Sequence, residues 1–116
     1  MKVYYARPIS LYNTKQENRD LAYFKELGWD ALNPNKEELQ IRYAQEGMDV
    51  FLMAVTSCDA LVFRSFQDGK ISAGVMKEID KAIELGKPVL ELPTITSSRV
   101  LSVDDTREYL KLLGCR

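Results

Sequence analysis

The stretch KISAGVMKEIDKAIELGKPVLEL, residues 70–92, holds the side chain with the clearest chemical potential in this sequence. Its pattern predicts a loop, a helix from about Ala73 to Leu85, and a strand. Glu78 lies one turn after Gly74, at the edge of the apolar stripe of that helix. A carboxylate there can act as a nucleophile at a sugar carbon or as a general base. The alternative is a boundary glutamate whose stem packs and whose carboxylate is solvated.

Ser72 and Gly74 stand where the same helix begins. A serine at this position is a good N-cap, which is a sufficient reason for its presence. The functional alternative is anion binding, because a glycine at a helix N-terminus lets backbone N–H groups approach a phosphate. Neither G-x-G-x-x-G nor G-x-x-x-x-G-K-[ST] occurs, so the sequence lacks a dinucleotide fingerprint and a Walker P-loop.

Three further side chains are candidates for the same chemistry. Tyr4 alternates with Tyr5 on the first predicted strand, so one of them faces each side of the sheet. Tyr4 either packs in the core or places its hydroxyl near a carboxylate at the end of the strand. Arg7 follows that strand and can pair with a phosphate or a carboxylate, or cover surface. Asp49 begins an apolar helix, where a carboxylate also stabilises the helix dipole.

Composition narrows the function classes. The 116 residues are 46% hydrophobic and 28% charged, with a net charge of −1, which fits one domain over residues 1–116 and argues against a broad nucleic-acid surface. The absence of histidine excludes ordinary serine or cysteine hydrolase triads. Because the chain has no histidine and neither Cys58 nor Cys115 belongs to a C-x-x-C pair, a zinc site is not expected, and we predict no metal site. No apolar run suits a signal peptide or a membrane span, and we expect a cytoplasmic protein.

Strands and helices alternate along the chain. We predict strands in KVYYA, WDALNP, CDALVFR and PVLEL, and helices over residues 14–28, 35–47, 48–57, 73–85 and 104–114. A further, partly extended segment follows the fourth strand. This order predicts an α/β, three-layer Rossmann-like or flavodoxin-like fold with a parallel sheet of about five strands. Ligands of such sheets bind outside the carboxyl ends of the strands, here in loops 7–13, 64–73 and 93–102.

Helix boundaries carry their own signals. Thr14 and Glu17 match a capping box for the first long helix, and Gly28 stands where a C-terminal cap glycine belongs. Asn35 and Glu38 are predicted to cap the second helix in the same way.

Three stretches, VYYARPI, SCDALVF and SAGVMKEIDKAIELGKPVLEL, together resemble the nucleoside 2-deoxyribosyltransferase family, and within it the 2'-deoxynucleoside 5'-monophosphate N-glycosidases. SRVLS further resembles a segment of the monophosphate hydrolases. The resemblance implies that Glu78 attacks the anomeric carbon, that Tyr4 positions it, and that no cofactor is needed. It implies that Ser72, Gly74 and Ser102 hold the 5'-phosphate, with Ser102 reaching a neighbouring subunit of a homodimer.

The sequence departs from the family at one catalytic position. The family has an aspartate eight residues before the strand aspartate, here Asp59, but this chain has Phe51. Asp49 is two residues earlier, about 200° away around a helix, and is the remaining candidate acid. Arg7 fills a loop that is small in the family and is a candidate phosphate contact.

Three functions therefore stay open. The first is a nucleotide N-glycosidase or deoxyribosyltransferase that cleaves the N-glycosidic bond of a 2'-deoxynucleoside 5'-monophosphate. The second is a catalytically impaired protein that binds or sequesters a nucleotide on the same fold, and Phe51 favours it. The third is a partner-binding domain with a vestigial pocket.

Overall fold

Four parallel strands form the sheet of the computed structural model, which describes residues 1–66, 68–93 and 101–115. The strands are β1 (Lys2–Ala6), β2 (Asp30–Leu32), β3 (Ala60–Phe63) and β4 (Val89–Glu91), in the order β2-β1-β3-β4. The helices are α1 (Lys15–Glu26), α2 (Glu37–Glu46), α3 (Asp49–Thr56), α4 (Ala73–Glu84) and α5 (Val103–Leu112), with a 3₁₀ turn at Ile9–Leu11. The parallel α/β fold predicted from the sequence is confirmed. The described strands are one fewer than expected, and much of the predicted extra segment lies at 94–100, outside the described residues.

The two faces of the sheet have separate cores. On β1, Val3 and Tyr5 face α1 and pack with Phe24, while Tyr4 and Ala6 face the opposite side. That opposite side is covered by α3 and α4. All four residues of β3 are buried, as expected for a strand covered on both faces. The period-2 alternation of β1 therefore places Tyr4, rather than Tyr5, on the α4 side.

The start of α1 follows the expected cap, with one difference. Thr14 Oγ1 accepts a hydrogen bond from the Glu17 backbone N–H at 3.2 Å, as a capping box requires. The Glu17 carboxylate, however, accepts from the backbone N–H of Asn13 instead of from that of Thr14. The backbone hydrogen-bond partner of the Glu17 carboxylate therefore lies one residue before the N-cap residue Thr14.

The predicted cap of α2 is wrong. Lys36 is the N-cap residue, and it makes no side-chain capping bond. The side chain of Asn33 forms a local hydrogen bond just before the helix, because its Oδ1 accepts from the Asn35 backbone N–H at 3.0 Å. The Asn35 amide instead donates to Asn13 at 3.0 Å and to Glu17 at 3.2 Å. These bonds tie the start of α2 to the loop after β1.

Helix α5 stands apart from the two cores. Every described side chain from residue 101 to 115 is exposed except that of Leu110, which is half-buried. No helix within the described ranges is both long and apolar enough to cross a membrane.

Candidate active site

A pocket of about 430 Å³ lies beyond the carboxyl ends of β1 and β3. Because β1 and β3 are parallel neighbours, with Ala6 paired to Phe63, the loops that follow them are adjacent. Pocket volumes of about 300–1,000 Å³ suit small-molecule ligands of nucleotide size. The lining residues come from both loops and from α2, α3 and α4: Arg7, Pro8, Ile9, Ser10, Tyr12, Gln40, Tyr43, Met48, Phe51, Phe66, Ser72, Gly74, Val75, Lys77 and Glu78.

Glu78 is buried at this pocket and is not the solvated boundary residue that the helical wheel allowed. Its side chain lies in the second turn of α4, and the residue is 6% exposed. Its Oε2 has no hydrogen-bond partner within the described part of the chain. Burial raises the pKa of Glu78 to about 7, although the Tyr4 hydroxyl and the Arg7 guanidinium both lower it. At neutral pH the carboxyl is therefore poised between its two protonation states.

Tyr4 lies beside Glu78 and is fully buried on the same face of the sheet. Burial raises the pKa of Tyr4, and the nearby Glu78 raises it further, so the hydroxyl stays protonated. The hydroxyl is near enough to lower the Glu78 pKa, yet it lies outside hydrogen-bond geometry with any described group. Catalytic hydrogen bonds are often long without substrate and tighten when it binds. The Tyr4 hydroxyl is therefore placed to donate a hydrogen bond to Glu78 when the Glu78 carboxyl loses its proton.

Replacing Tyr4 with phenylalanine is expected to raise the Glu78 pKa above about 7. The change keeps the buried ring but removes the hydroxyl that favours the ionised carboxylate. A pH titration of the ¹³C-labelled glutamate side chains by NMR measures the shift. Tyr23→Phe, at an exposed position of α1, is the matched control. An unchanged Glu78 titration in Tyr4→Phe would show that the two groups do not interact.

Arg7 is held inside the protein by several contacts. The residue is 3% exposed, and its Nη2 forms an ion pair with Glu17 Oε1 at 3.1 Å. Its Nη1 donates to the Tyr5 carbonyl at 3.2 Å. The guanidinium lies 4.1 Å from the ring centroid of Tyr5 and 4.6 Å from that of Tyr12. The charge of Arg7 is thus already balanced within the fold, although the residue lines the pocket.

Ser72 and Gly74 both line the pocket at the start of α4. Ser72 Oγ accepts from the Val75 backbone N–H at 3.3 Å, so the predicted N-cap is confirmed and the hydroxyl hydrogen remains able to donate. Gly74 has no left-handed backbone conformation, and a Cβ there would meet only the Met48 side chain, at 3.8 Å. Neither backbone nor packing within the described residues requires a glycine at this position.

Gly74→Ala is expected to stabilise the fold and to weaken binding of the anionic ligand that the sequence predicts at this helix start. Alanine favours a helix over glycine by up to about 1 kcal/mol, but its methyl group occupies the space through which a ligand approaches the backbone N–H groups. Urea denaturation and a nucleotide titration measure the two effects. Gly86→Ala is the contrast, because Gly86 has φ +69° and alanine is strained there. A destabilised Gly74→Ala, or one with unchanged binding, contradicts the prediction.

The structure does not bring Asp49 into the pocket. Asp49 is the first residue of α3 and is exposed, whereas Phe51 lines the pocket and stacks on Tyr43 at 4.9 Å between ring centroids. Ser102 is the N-cap of α5, where its Oγ accepts from the Asp105 backbone N–H at 3.1 Å. Ser102 is exposed and does not line the pocket of this chain.

Tyr12, Gln40 and Lys77 are among the lining residues that the sequence analysis does not single out. Tyr12 and Gln40 follow no motif, and their place depends on how the loop after β1 meets α2. Burial raises the pKa of Tyr12. Lys77 could have been found, because it is three residues after Gly74 and so shares a helix face with it.

Comparison with known proteins supports the fold. No protein-family model matches the sequence, and no curated protein matches it. Among solved structures, the chain is similar to the 2-desoxiribosyltransferase from Leishmania mexicana, with 22% identity and a TM-score of 0.57 over 82% of this chain. The chain spans 65% of the length of that protein. It is also similar to the CMP N-glycosidase BcmB of Clostridium botulinum, with 22% identity and a TM-score of 0.53 over the whole of both chains. The chain therefore has the fold of the nucleoside 2-deoxyribosyltransferase family, as its sequence motifs predict.

Proposed function

We propose that this protein cleaves the N-glycosidic bond of a 2'-deoxynucleoside 5'-monophosphate, with Glu78 as the nucleophile. The observation that supports the proposal is the buried carboxylate of Glu78, whose Oε2 lacks a partner in a pocket of nucleotide size. Breaking the C1'–N bond passes through an oxocarbenium-like state. The unpartnered Glu78 carboxylate would attract the positive charge that develops at C1'. Because that charge appears only in the transition state, the site would stabilise the transition state more than the ground state.

The reaction has two steps. In the first, Glu78 forms a bond to C1', and the base leaves with the electron pair of the C1'–N bond and takes a proton from solvent or a nearby donor. In the second, a water molecule attacks C1', loses its proton and releases Glu78, or a second base does so in a transferase. Tyr4 orients the carboxylate. The departing base has no carboxylic acid to protonate it among the described lining residues, apart from Glu78 itself.

In this proposal the 5'-phosphate binds at the start of α4. The Ser72 hydroxyl and the backbone N–H groups around Gly74 point to an anion site there. Arg7 contributes positive potential, and Ser102 contributes from the second subunit of a homodimer. A phosphate site favours hydrolysis over base transfer, as inferred from the sequence. We place the protein in the cytoplasm, acting on a small molecule.

The two structural neighbours support glycosyl transfer or cleavage at the level of the family. One is named for deoxyribosyl transfer, and the other for cleavage of CMP, which is a ribonucleotide. The substrates tested with this chain should therefore include both deoxyribose and ribose nucleotides. Free base released from the four deoxynucleoside monophosphates, CMP and the matching nucleosides can be measured by chromatography across pH. We expect kcat/KM to rise with pH through about 7, because the ionised form of Glu78 is the nucleophile.

Nucleotide binding without turnover is the second candidate. It is favoured by Phe51, which lines the pocket at the position of the family's aspartate, and by Asp49, which does not line it. Equilibrium titration with the same panel distinguishes the two. Tight binding with no release of base, unchanged by Glu78→Ala, would support sequestration.

A further inference from the structure

We propose that Lys77 binds the anionic 5' group of the substrate and sets a preference for nucleotides over nucleosides. The inference rests on the proposed function, since it assigns one end of the same ligand. Lys77 lies in α4 between Gly74 and Glu78, and all three residues line one pocket. Consecutive residues of a helix project about 100° apart, so Lys77 and Glu78 can reach different parts of a single bound molecule.

Lys77 is free to form an ion pair with a ligand, whereas Arg7 is already held in one with Glu17. Lys77 is exposed and makes no ion pair with any residue in the described ranges. Arg7 forms an ion pair with the buried Glu17 at 3.1 Å, and its own side chain is fully enclosed. Turning Arg7 towards a phosphate would leave the Glu17 carboxylate buried without its cation, which is costly. Lys77 can move to an anion without breaking any such contact.

The surroundings of Lys77 also suit an anion. The first turn of α4 has no acidic residue, whereas α1, α2, α3 and α5 each have at least one. No side-chain carboxylate from the first turn of α4 therefore occupies the positive end of the helix dipole, where a ligand anion would bind. Two independent observations point to a ligand: Gly74, which the fold does not require, and the buried Arg7 Nε, which lacks a partner among the described residues.

The test uses ligands that carry no base, so it does not depend on which base is accepted or on turnover. Calorimetric titration with 2-deoxyribose 5-phosphate and with 2-deoxyribose is compared for the wild-type protein and for Lys77→Met, which keeps the apolar stem and removes the charge. We expect the sugar phosphate to bind about tenfold or more weakly to Lys77→Met. The affinity for 2-deoxyribose should not change. Wild-type affinity for the sugar phosphate should also fall more steeply with salt than that of the variant.

Lys81→Met is the matched control, because Lys81 lies four residues further along α4, pairs with Glu84 at 3.8 Å and does not line the pocket. The affinity of this variant for the sugar phosphate should stay within about twofold of wild type, because Lys81 is half-buried outside the pocket and its charge already pairs with Glu84. Equal binding by wild type and Lys77→Met, or equal losses for both sugars, would overturn the inference. So would a wild-type protein that fails to bind the sugar phosphate. Charge-dependent binding by a protein that releases no base would sustain this inference while the enzymatic proposal fails.

Discussion

Replacing Glu78 with glutamine is expected to lower base release by at least about a thousandfold, since removal of a nucleophile that acts in both steps leaves little of the rate enhancement. Glutamine keeps the shape of the side chain but carries no negative charge to meet the positive charge developing at C1'. Substrate binding should change much less than kcat, because the 5' end of the ligand is held elsewhere. A variant that retains a tenth or more of the wild-type rate would remove Glu78 from the proposed chemistry.

The same substitution is expected to make the fold more stable above neutral pH. The Glu78 pKa rises from its usual value of 4.5 to about 7 because the ionised carboxylate is buried. The folded state then binds the proton more tightly than the unfolded state, so the free energy of unfolding falls as pH rises from about 4.5 to about 7. From this shift we expect the ionised carboxylate to lower the free energy of unfolding at pH 8 by about 3 kcal/mol. Glu78→Gln avoids this loss.

Urea denaturation at pH 4 and pH 8 measures this effect. We expect similar stabilities for wild type and Glu78→Gln at pH 4, where the carboxyl is mostly protonated in both the folded and the unfolded state, and a clear advantage for the variant at pH 8. Glu84→Gln is the control on the same helix, because the Glu84 side chain is 71% exposed. An equal loss of stability in Glu78→Gln at both pH values would mean that packing, and not charge, dominates at this position.

Asp20→Asn is expected to destabilise the protein by about 3–5 kcal/mol. Asp20 lies on the α1 side of the sheet, opposite Glu78, and accepts from Arg64 Nε at 2.5 Å and Arg64 Nη2 at 2.8 Å. The Tyr5 hydroxyl also donates to Asp20, and Arg64 Nη1 donates to the Pro93 carbonyl. Asparagine would leave the Arg64 charge buried without a counter-ion, and this cluster joins α1, β1, β3 and the chain after β4.

The loss is measured by urea denaturation, with Asp80→Asn at an exposed position of α4 as the control. Substituting both partners, Asp20→Asn with Arg64→Met, should recover much of the stability, because an apolar replacement removes the uncompensated charge. Because neither Asp20 nor Arg64 lines the pocket, the folded fraction of Asp20→Asn should keep its nucleotide affinity. A loss below about 1 kcal/mol would mean that water or neighbouring groups solvate Arg64.

Local patterns in the sequence were enough to predict most of the fold. The apolar runs of β1 and β3 and the stripe of α4 set their spans, and the Ser72 cap marked where α4 begins. The period-2 alternation of β1 also put one tyrosine on each face. The choice of Tyr4 as the one beside Glu78 then depended on which face α4 covers, which the family resemblance supplied and the structure agrees with.

Other features depend on contacts between distant segments and could not be read from local pattern. The helical wheel put Glu78 at a boundary, and only the packing of α4 against the sheet and α3 buries its carboxylate. The sequence allows Arg7 to pair with a phosphate or a carboxylate but does not show which one, because Glu17 lies on the next helix and only the fold brings it to Arg7. Lys77 was passed over because a lysine on a helix usually belongs to a solvated face.

The stereochemistry of the sugar product tests the central claim most directly. The reaction is run in water containing methanol, with the monophosphate that releases base fastest, and the methyl 2-deoxyriboside 5-phosphate is examined by NMR before it can equilibrate. A covalent bond to Glu78 followed by a second attack predicts retention, so the β-anomer should form, and none should form with Glu78→Gln. The α-anomer, or the absence of base release from every nucleotide in the panel, would contradict the account.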